Sequence, residues 1–318
     1  MSHHAFGFRG SAITISAILS AFATLSCGAQ LPSRANLRPD SATCSALILG
    51  YDSAGSAAHS WQLQIPVTAG GGALWYIGAV HSRDPNDPQF AVLDSLWRIA
   101  RPTVAFYEGP DRGIRSDIQS AISETGESGY VRYLAHRDGA SIRRLEPNPQ
   151  DEIDYLLASF PPDQIKLFYI LRQAQQIRDR EHLSEGAIRE NIGNLLERAK
   201  FLRGIGNVIT SLAELDSAYR QYWGTSSQWW NAPAQWFDPL LKSAETGGLF
   251  TNDVNRRSSE IRNLNMFRVL SEAATKDRVF AVVGRNHVPL QADALRCELM
   301  AAARTSGPEG SRPSPSRR

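Results

Sequence analysis

Three short stretches of this chain are apolar at every position: Leu74-Trp75-Tyr76-Ile77, Val104-Ala105-Phe106-Tyr107 and Val279-Phe280-Ala281-Val282-Val283. A strand with one wet face alternates apolar and polar residues, whereas an unbroken apolar run needs cover on both faces. The chain therefore calls for a largely parallel sheet between two layers of helix. Between the first two runs, Phe90, Leu93, Leu96, Trp97 and Ala100 recur at helical spacing, giving one strand, helix, strand unit whose crossover should be right-handed. Residues 141–145 read as a fourth strand closed by Glu146-Pro147, and residues 61–67 are strand-like. From residue 151 to about 241 the apolar positions take helical spacing: Ile153, Leu156, Leu157 and Phe160, then Ile165, Phe168 and Leu171, then Ile188, Ile192, Leu195 and Leu196. This predicts a helical insertion, or lid. It closes on Trp223, Trp229, Trp230, Trp236 and Phe237, interrupted by Gly224, Pro233 and Pro239, which predicts a loop. A further helix is expected over 252–274. The expected fold class is α/β, a central mixed and largely parallel sheet flanked by helices, with the helical insertion in mid-chain.

The ends read differently from this core. After Arg9, residues 12–26 are uncharged and rich in Ala, Ile and Leu, the length of a signal-peptide core and too short for a membrane span. The leader, residues 1–29, ends either at a lipid-modified Cys27 or by cleavage after Ala29; Leu25 lies one position later than a good lipoprotein box places it. Residues 30–43 are a spacer, 44–304 the folded core, and 305–318 a disordered basic tail without the apolar content to pack. The expected location is therefore outside the cytoplasm, periplasmic or lipid-anchored at a membrane surface. There Cys44 and Cys297 either pair, tying the start of the core to its last helix, or stay as two separate buried thiols. The formal charge of +2 comes from Arg9 and the tail arginines, so the core carries no basic footprint for nucleic acid.

The strongest chemical signal is a repeated pattern, a strand followed by Gly-x-x-His, at Gly78-Ala79-Val80-His81 and again at Gly284-Arg285-Asn286-His287. In each copy Gly78 or Gly284 lets the backbone turn or approach a ligand, and an imidazole follows just past the strand's carboxyl end. Ligands of open α/β sheets bind at that edge. The remaining apolar strand ends in Glu108, so a carboxylate is expected beside His81. Two imidazoles and a carboxylate on three strand ends form a constellation, although any one of them alone reads as a capped or solvated loop residue. His136 and His182 have charged neighbours and read as surface residues; His59 has no visible partner. The Trp cluster reads either as helical core or as a stacking surface over a cleft.

Four blocks of this sequence resemble the TIKI/TraB/GumN superfamily, which also takes in ChaN-like and erythromycin-esterase-like proteins: Trp75 to His81, Phe106-Tyr107-Glu108, Ile261-Arg262-Asn263-Leu264-Asn265-Met266, and Val282 to His287. The likeness spans residues 74–299 but leaves the helical middle unmatched. It implies a mixed α/β fold with one site built from both halves and, in the best-understood branch, a metal-dependent peptidase whose histidines and glutamate map onto His81, Glu108 and His287. The family's later arginine maps onto Arg262. This chain departs from the pattern at Pro110 and Asp111, and in the acidic, proline-rich loop from Ser82 to Pro88.

Two imidazoles and a carboxylate with an open position suit a divalent ion such as Zn, Mn or Co, which would acidify a bound water and polarise a carbonyl. Glu146 is then the expected proton acceptor, or else a surface turn residue. Arg262 is expected either to stabilise charge on the attacked group or to tie its helix to an acidic partner. A metal-free version has Glu108 and His81 activate water directly. The expected function is an exported hydrolase of a peptide, amide or ester bond, taking a small-molecule or peptide substrate. The alternatives are a haem- or iron-binding uptake protein of ChaN-like type, with an axial Tyr or His and a Trp-lined pocket, and an inactive binding module.

Overall fold

The computed structural model describes residues 44–51, 61–66 and 72–305. The leader, the spacer, His59 and the tail beyond residue 305 lie outside the described residues. The strands are β1 (Gln62–Pro66), β2 (Ala73–Ala79), β3 (Val104–Tyr107), β4 (Ser141–Arg144) and β5 (Arg278–Gly284). Together they form one sheet in the order β1-β2-β5-β3-β4. β2, β5, β3 and β4 run parallel, and β1 is antiparallel at the edge. The edge strand shows its single wet face in sequence: Gln62, Gln64 and Pro66 point out, Leu63 and Ile65 in.

The longer helices are α1 (Pro88–Ala100), α2 (Ile118–Asp138), α3 (Pro149–Leu157), α4 (Pro162–Glu181), α5 (Glu185–Ala199), α6 (Leu212–Trp223), α7 (Thr251–Ala274) and α8 (His287–Thr305). The unbroken apolar runs are buried on both faces, as expected. In β5, Phe280 and Val282 pack with Phe90, Leu93 and Trp97 of α1 and Tyr130 of α2, while Val279, Ala281 and Val283 pack with Met266, Phe267 and Leu270 of α7 and Val288 of α8. A separate apolar core, including Phe168, Ile192, Leu196 and Tyr219, holds α3 to α6 together and is the helical insertion. Trp229 is fully buried in it, and Trp236 and Phe237 nearly so, on short 3-10 turns where their positions allow no long helix. The core reading of this cluster is the one observed.

Cys44 and Cys297 form a disulfide with Cα atoms 5.5 Å apart, across 253 residues of sequence. It fixes residues 44–51 against α8, where the Leu49 N–H donates to the Leu290 carbonyl at 2.9 Å, and it leads to the buried Tyr51. Closing so long a loop removes much freedom from the unfolded chain. Replacing both cysteines by serine should therefore lower unfolding stability by about 2–5 kcal/mol, read as a lower denaturant midpoint in guanidinium titrations; reductant should produce the same fall in the unsubstituted protein and none in the double variant.

Candidate active site at the carboxyl edge of the sheet

Because β5 is inserted between β2 and β3, the segments carrying His81, Gly284 and Glu108 leave the sheet side by side. Local structure fixes the first. The Gln89 side chain brackets Val80, accepting from its N–H at 3.1 Å and donating to its carbonyl at 2.9 Å. Gln89 is itself placed by Asp87, which caps α1 ahead of Pro88. The acidic, proline-rich loop is thus a turn and a cap. Gly78 makes room for backbone: a Cβ there would stand 2.7 Å from Arg285 Cα, where the chain leaving β5 passes over β2.

Glu108 lies in a tightly made clamp. Its Oε2 accepts from the Gly284 N–H at 2.6 Å and its Oε1 from Arg262 Nη2. The same guanidinium donates through Nε and Nη2 to both oxygens of Glu146, at 2.8 and 2.7 Å. Burial alone would raise the Glu108 carboxyl, but Arg262, followed by His287 and His81, holds it well below the usual carboxylate range. Arg262 is pushed well above its ordinary value, because Glu146 and Glu108 outweigh its own burial. The structural reading of Arg262 is therefore the one its contacts support. Glu146, expected as the proton acceptor or else as a surface turn residue, is largely out of solvent, with both oxygens accepting from Arg262.

The two imidazoles are oriented alike by different partners. His81 Nδ1–H donates to Glu127 Oε1 at 2.6 Å, and this bond raises the His81 pKa against the effect of burial. Glu127 comes from α2 at a break in the helix: Gly126 has φ 64° and ψ −146°, and a Cβ there would come within 2.9 Å of the Ser82 carbonyl oxygen. Only glycine takes that backbone freely while letting the loop after His81 pass. His287, the first residue of α8, donates from Nδ1 to Asn263 Oδ1 at 2.6 Å; Asn263 is held in turn by Gln291, which donates to the Tyr76 hydroxyl. Burial pushes His287 down to about 4, against the pull of Glu108, so it is neutral at pH 7 with a bare Nε2 3.8 Å from Glu108 Oε1. A Cβ at Gly284 would lie 3.4 Å from both Glu108 Oε2 and His81 Nε2, which marks that position as the point where the two groups converge.

The site opens into a cavity of about 520 Å³ lined by His81, Glu108, Glu146 and Arg262 on the sheet side. The insertion lines the other side with a polar stripe of α4, Lys166, Tyr169, Gln173, Gln176 and Arg180, spaced three or four residues apart. No Trp lines this cavity among the described residues; Trp229 and Trp236 lie in the helical core, and Trp223 and Trp230 pack against it. His136 and His182 are exposed, as expected.

Both imidazoles suit a metal ion, since each has Nδ1 tied to an acceptor and Nε2 bare. Glu108 as held does not, because its oxygens are committed to Arg262 and the Gly284 N–H. Among the described residues no three His, Cys, Asp or Glu groups converge to hold a metal ion, so the set as it stands does not make a three-ligand centre. Comparisons with protein-family models, with curated proteins and with solved structures find no match to this chain. Glu127 and Asn263 were not expected from the sequence. Asn263 stood inside the quoted Ile261 to Met266 block beside Arg262, and Glu127 sat between Gly126 and Gly129 in an otherwise helical stretch.

Two outcomes follow from this electrostatics. The His287 pKa is depressed from 6.5 to about 4, so stability should fall as pH drops through that window, because the unfolded chain takes up the proton first. The His81 pKa is raised above 6.5, so its contribution is full below 6.5 and is lost as pH rises through the folded value. Denaturation midpoints should therefore peak near 6.5 for these two groups; His287→Gln should flatten the acid limb and His81→Gln the alkaline limb. Separately, Arg262→Leu leaves two buried carboxylates uncompensated and should cost about 3–5 kcal/mol, measured by equilibrium unfolding.

Proposed function

We propose that this protein is an exported hydrolase of an ester or amide bond, peptide bonds included, in which His81 takes the proton from the attacking water. The observation that carries this reading is the Glu127–His81 pair at 2.6 Å, which leaves Nε2 facing Glu108 across the space that Gly284 keeps free of a side chain. An imidazole with a carboxylate behind it is a base matched to neutral pH. Water held between His81 Nε2 and Glu108 gives its proton to Nε2 as its oxygen bonds to the carbonyl carbon. Glu127 stabilises the imidazolium that forms, and the same proton passes to the leaving oxygen or nitrogen as the scissile bond breaks. The clamp keeps Glu108 ionised and fixed, so no reorganisation is needed during the reaction.

Export is supported by the Cys44–Cys297 disulfide, which persists in oxidising compartments, and by the apolar leader with its exit at Cys27 or Ala29. No helix among the described residues is long and apolar enough to cross a membrane. A metal-assisted variant draws on one observation, the bare Nε2 atoms of His81 and His287 facing Glu108; a divalent ion there would supply Lewis acidity, and it requires Arg262 to release Glu108.

The test is turnover of a panel of chromogenic esters and peptides by the mature protein, with metal content measured on the same samples. His81→Ala should reduce kcat by about 10²–10⁴-fold. Glu127→Gln should lower the rate and move the acid limb of the pH profile to lower pH. Gly284→Ala should fold, its Cβ in ordinary contact distance, yet lose activity. Near-stoichiometric Zn or Mn, lost in both His81→Ala and His287→Ala, would select the metal-assisted variant; full activity of His81→Ala would sink the reading.

A further inference from the structure

The cavity has a charge imbalance that the hydrolytic groups leave unused. Eight cationic side chains line it against four carboxylates, and those carboxylates are already engaged. Arg262 holds Glu108 and Glu146, His81 holds Glu127, and Glu152 accepts from the hydroxyls of Tyr169 and Ser258. Arg132 pairs with Asp111. Arg83, Arg112, Arg144, Lys166, Arg172 and Arg180 form no ion pair among the described residues. Of these, Arg144 donates to the Gly109 carbonyl and Lys166, only 1% exposed, to the Ile205 carbonyl, so neither is neutralised.

Arg172 stands out within this set. It projects from α4 into the cavity, largely out of bulk solvent, with no hydrogen bond or ion pair among the described residues; the Phe168 ring lies 5.8 Å away, and Glu152 and Tyr169 act on it electrostatically. Burial pushes its pKa down and the positive Arg262 adds to this, together outweighing the pull of Glu152, so its charge is held at a cost in the cavity. Such a cost is offset when an anion enters. Guanidinium groups present planar forks that match the oxygens of a phosphoryl group, and with Arg132 paired to Asp111 the lining still sets seven cations against four carboxylates, more positive charge than one carboxylate ligand balances.

We infer that the molecule this cavity takes carries a phosphate-type oxyanion, seated by Arg172 with Arg180 and the neighbouring cations of the wall, beside the His81–Glu108 centre. As a statement about the substrate it rests on the hydrolase reading; as a binding site it stands on the charge set alone. The anion positions the molecule, and the ester or amide bond elsewhere in it meets His81.

Calorimetric titration of the mature full-length protein with inorganic phosphate, with acetate at matched ionic strength, and with phenyl phosphate tests this directly. Phosphate should bind saturably where acetate does not, and phenyl phosphate at least as tightly, its ring reaching Ile153, Ile170 and Ile205. Arg172→Gln should weaken phosphate binding about tenfold or more and, without phosphate, raise the melting temperature, because an uncompensated charge has been removed. Phosphate binding no tighter than acetate, or unchanged in Arg172→Gln, overturns the proposal. His81→Ala separates the two readings: phosphate affinity retained with turnover lost supports both, whereas turnover retained condemns the hydrolase alone and leaves the anion site standing.

Discussion

Arg262 joins three elements at the sheet edge through one largely buried guanidinium: α7, from which it projects, and the segments leaving β3 and β4 that carry Glu108 and Glu146. Its side chain and both carboxylates are nearly excluded from solvent. In such surroundings an unpaired charge is expensive, so each group depends on the others. The orientation of Glu108 then follows, with its second oxygen on the Gly284 N–H. Asn263, one residue on, sets the His287 tautomer from the same turn of α7. A single helix turn thereby arranges groups that come from both ends of the chain.

The fold supplies that turn with its partners through topology. A parallel sheet sends every strand out at the same edge, and the late insertion of β5 between β2 and β3 places the two Gly-x-x-His segments next to each other although two hundred residues separate them. The insertion completes the enclosure. Its apolar face makes its own core, and the opposite stripe of α4 turns Lys166, Gln173 and Arg180 toward the cavity. Burial of Lys166 and Gln173 is tolerable only because that buried space is polar.

Much of this was legible in the residues. The unbroken apolar runs at 74–77, 104–107 and 279–283 became the doubly covered strands β2, β3 and β5, and the helical spacing after residue 151 became the insertion. His81, Glu108, His287 and Arg262 were brought together. Less legible was the division of labour. Glu146 and Arg262 each carried a reactive and a structural reading in sequence, and only the fold shows that they pair with each other. Glu127 was silent because it lies in a helix, and only the break at Gly126 turns it toward His81.

Periodicity is a local property, set by which side of a strand or helix must leave water, so the sequence alone determined the fold class, the strand ends that bear the imidazoles, and the separateness of the helical middle. Pairing is not local. Which carboxylate meets Arg262, which acceptor takes each Nδ1–H, and whether Cys44 reaches Cys297 depend on distances between segments far apart in the chain. Electrostatic roles depend on those distances and on the solvent excluded around them, so only the tertiary structure could decide that His287 stays neutral, that Glu108 stays charged, and that Arg172 faces the cavity without an ion pair among the described residues.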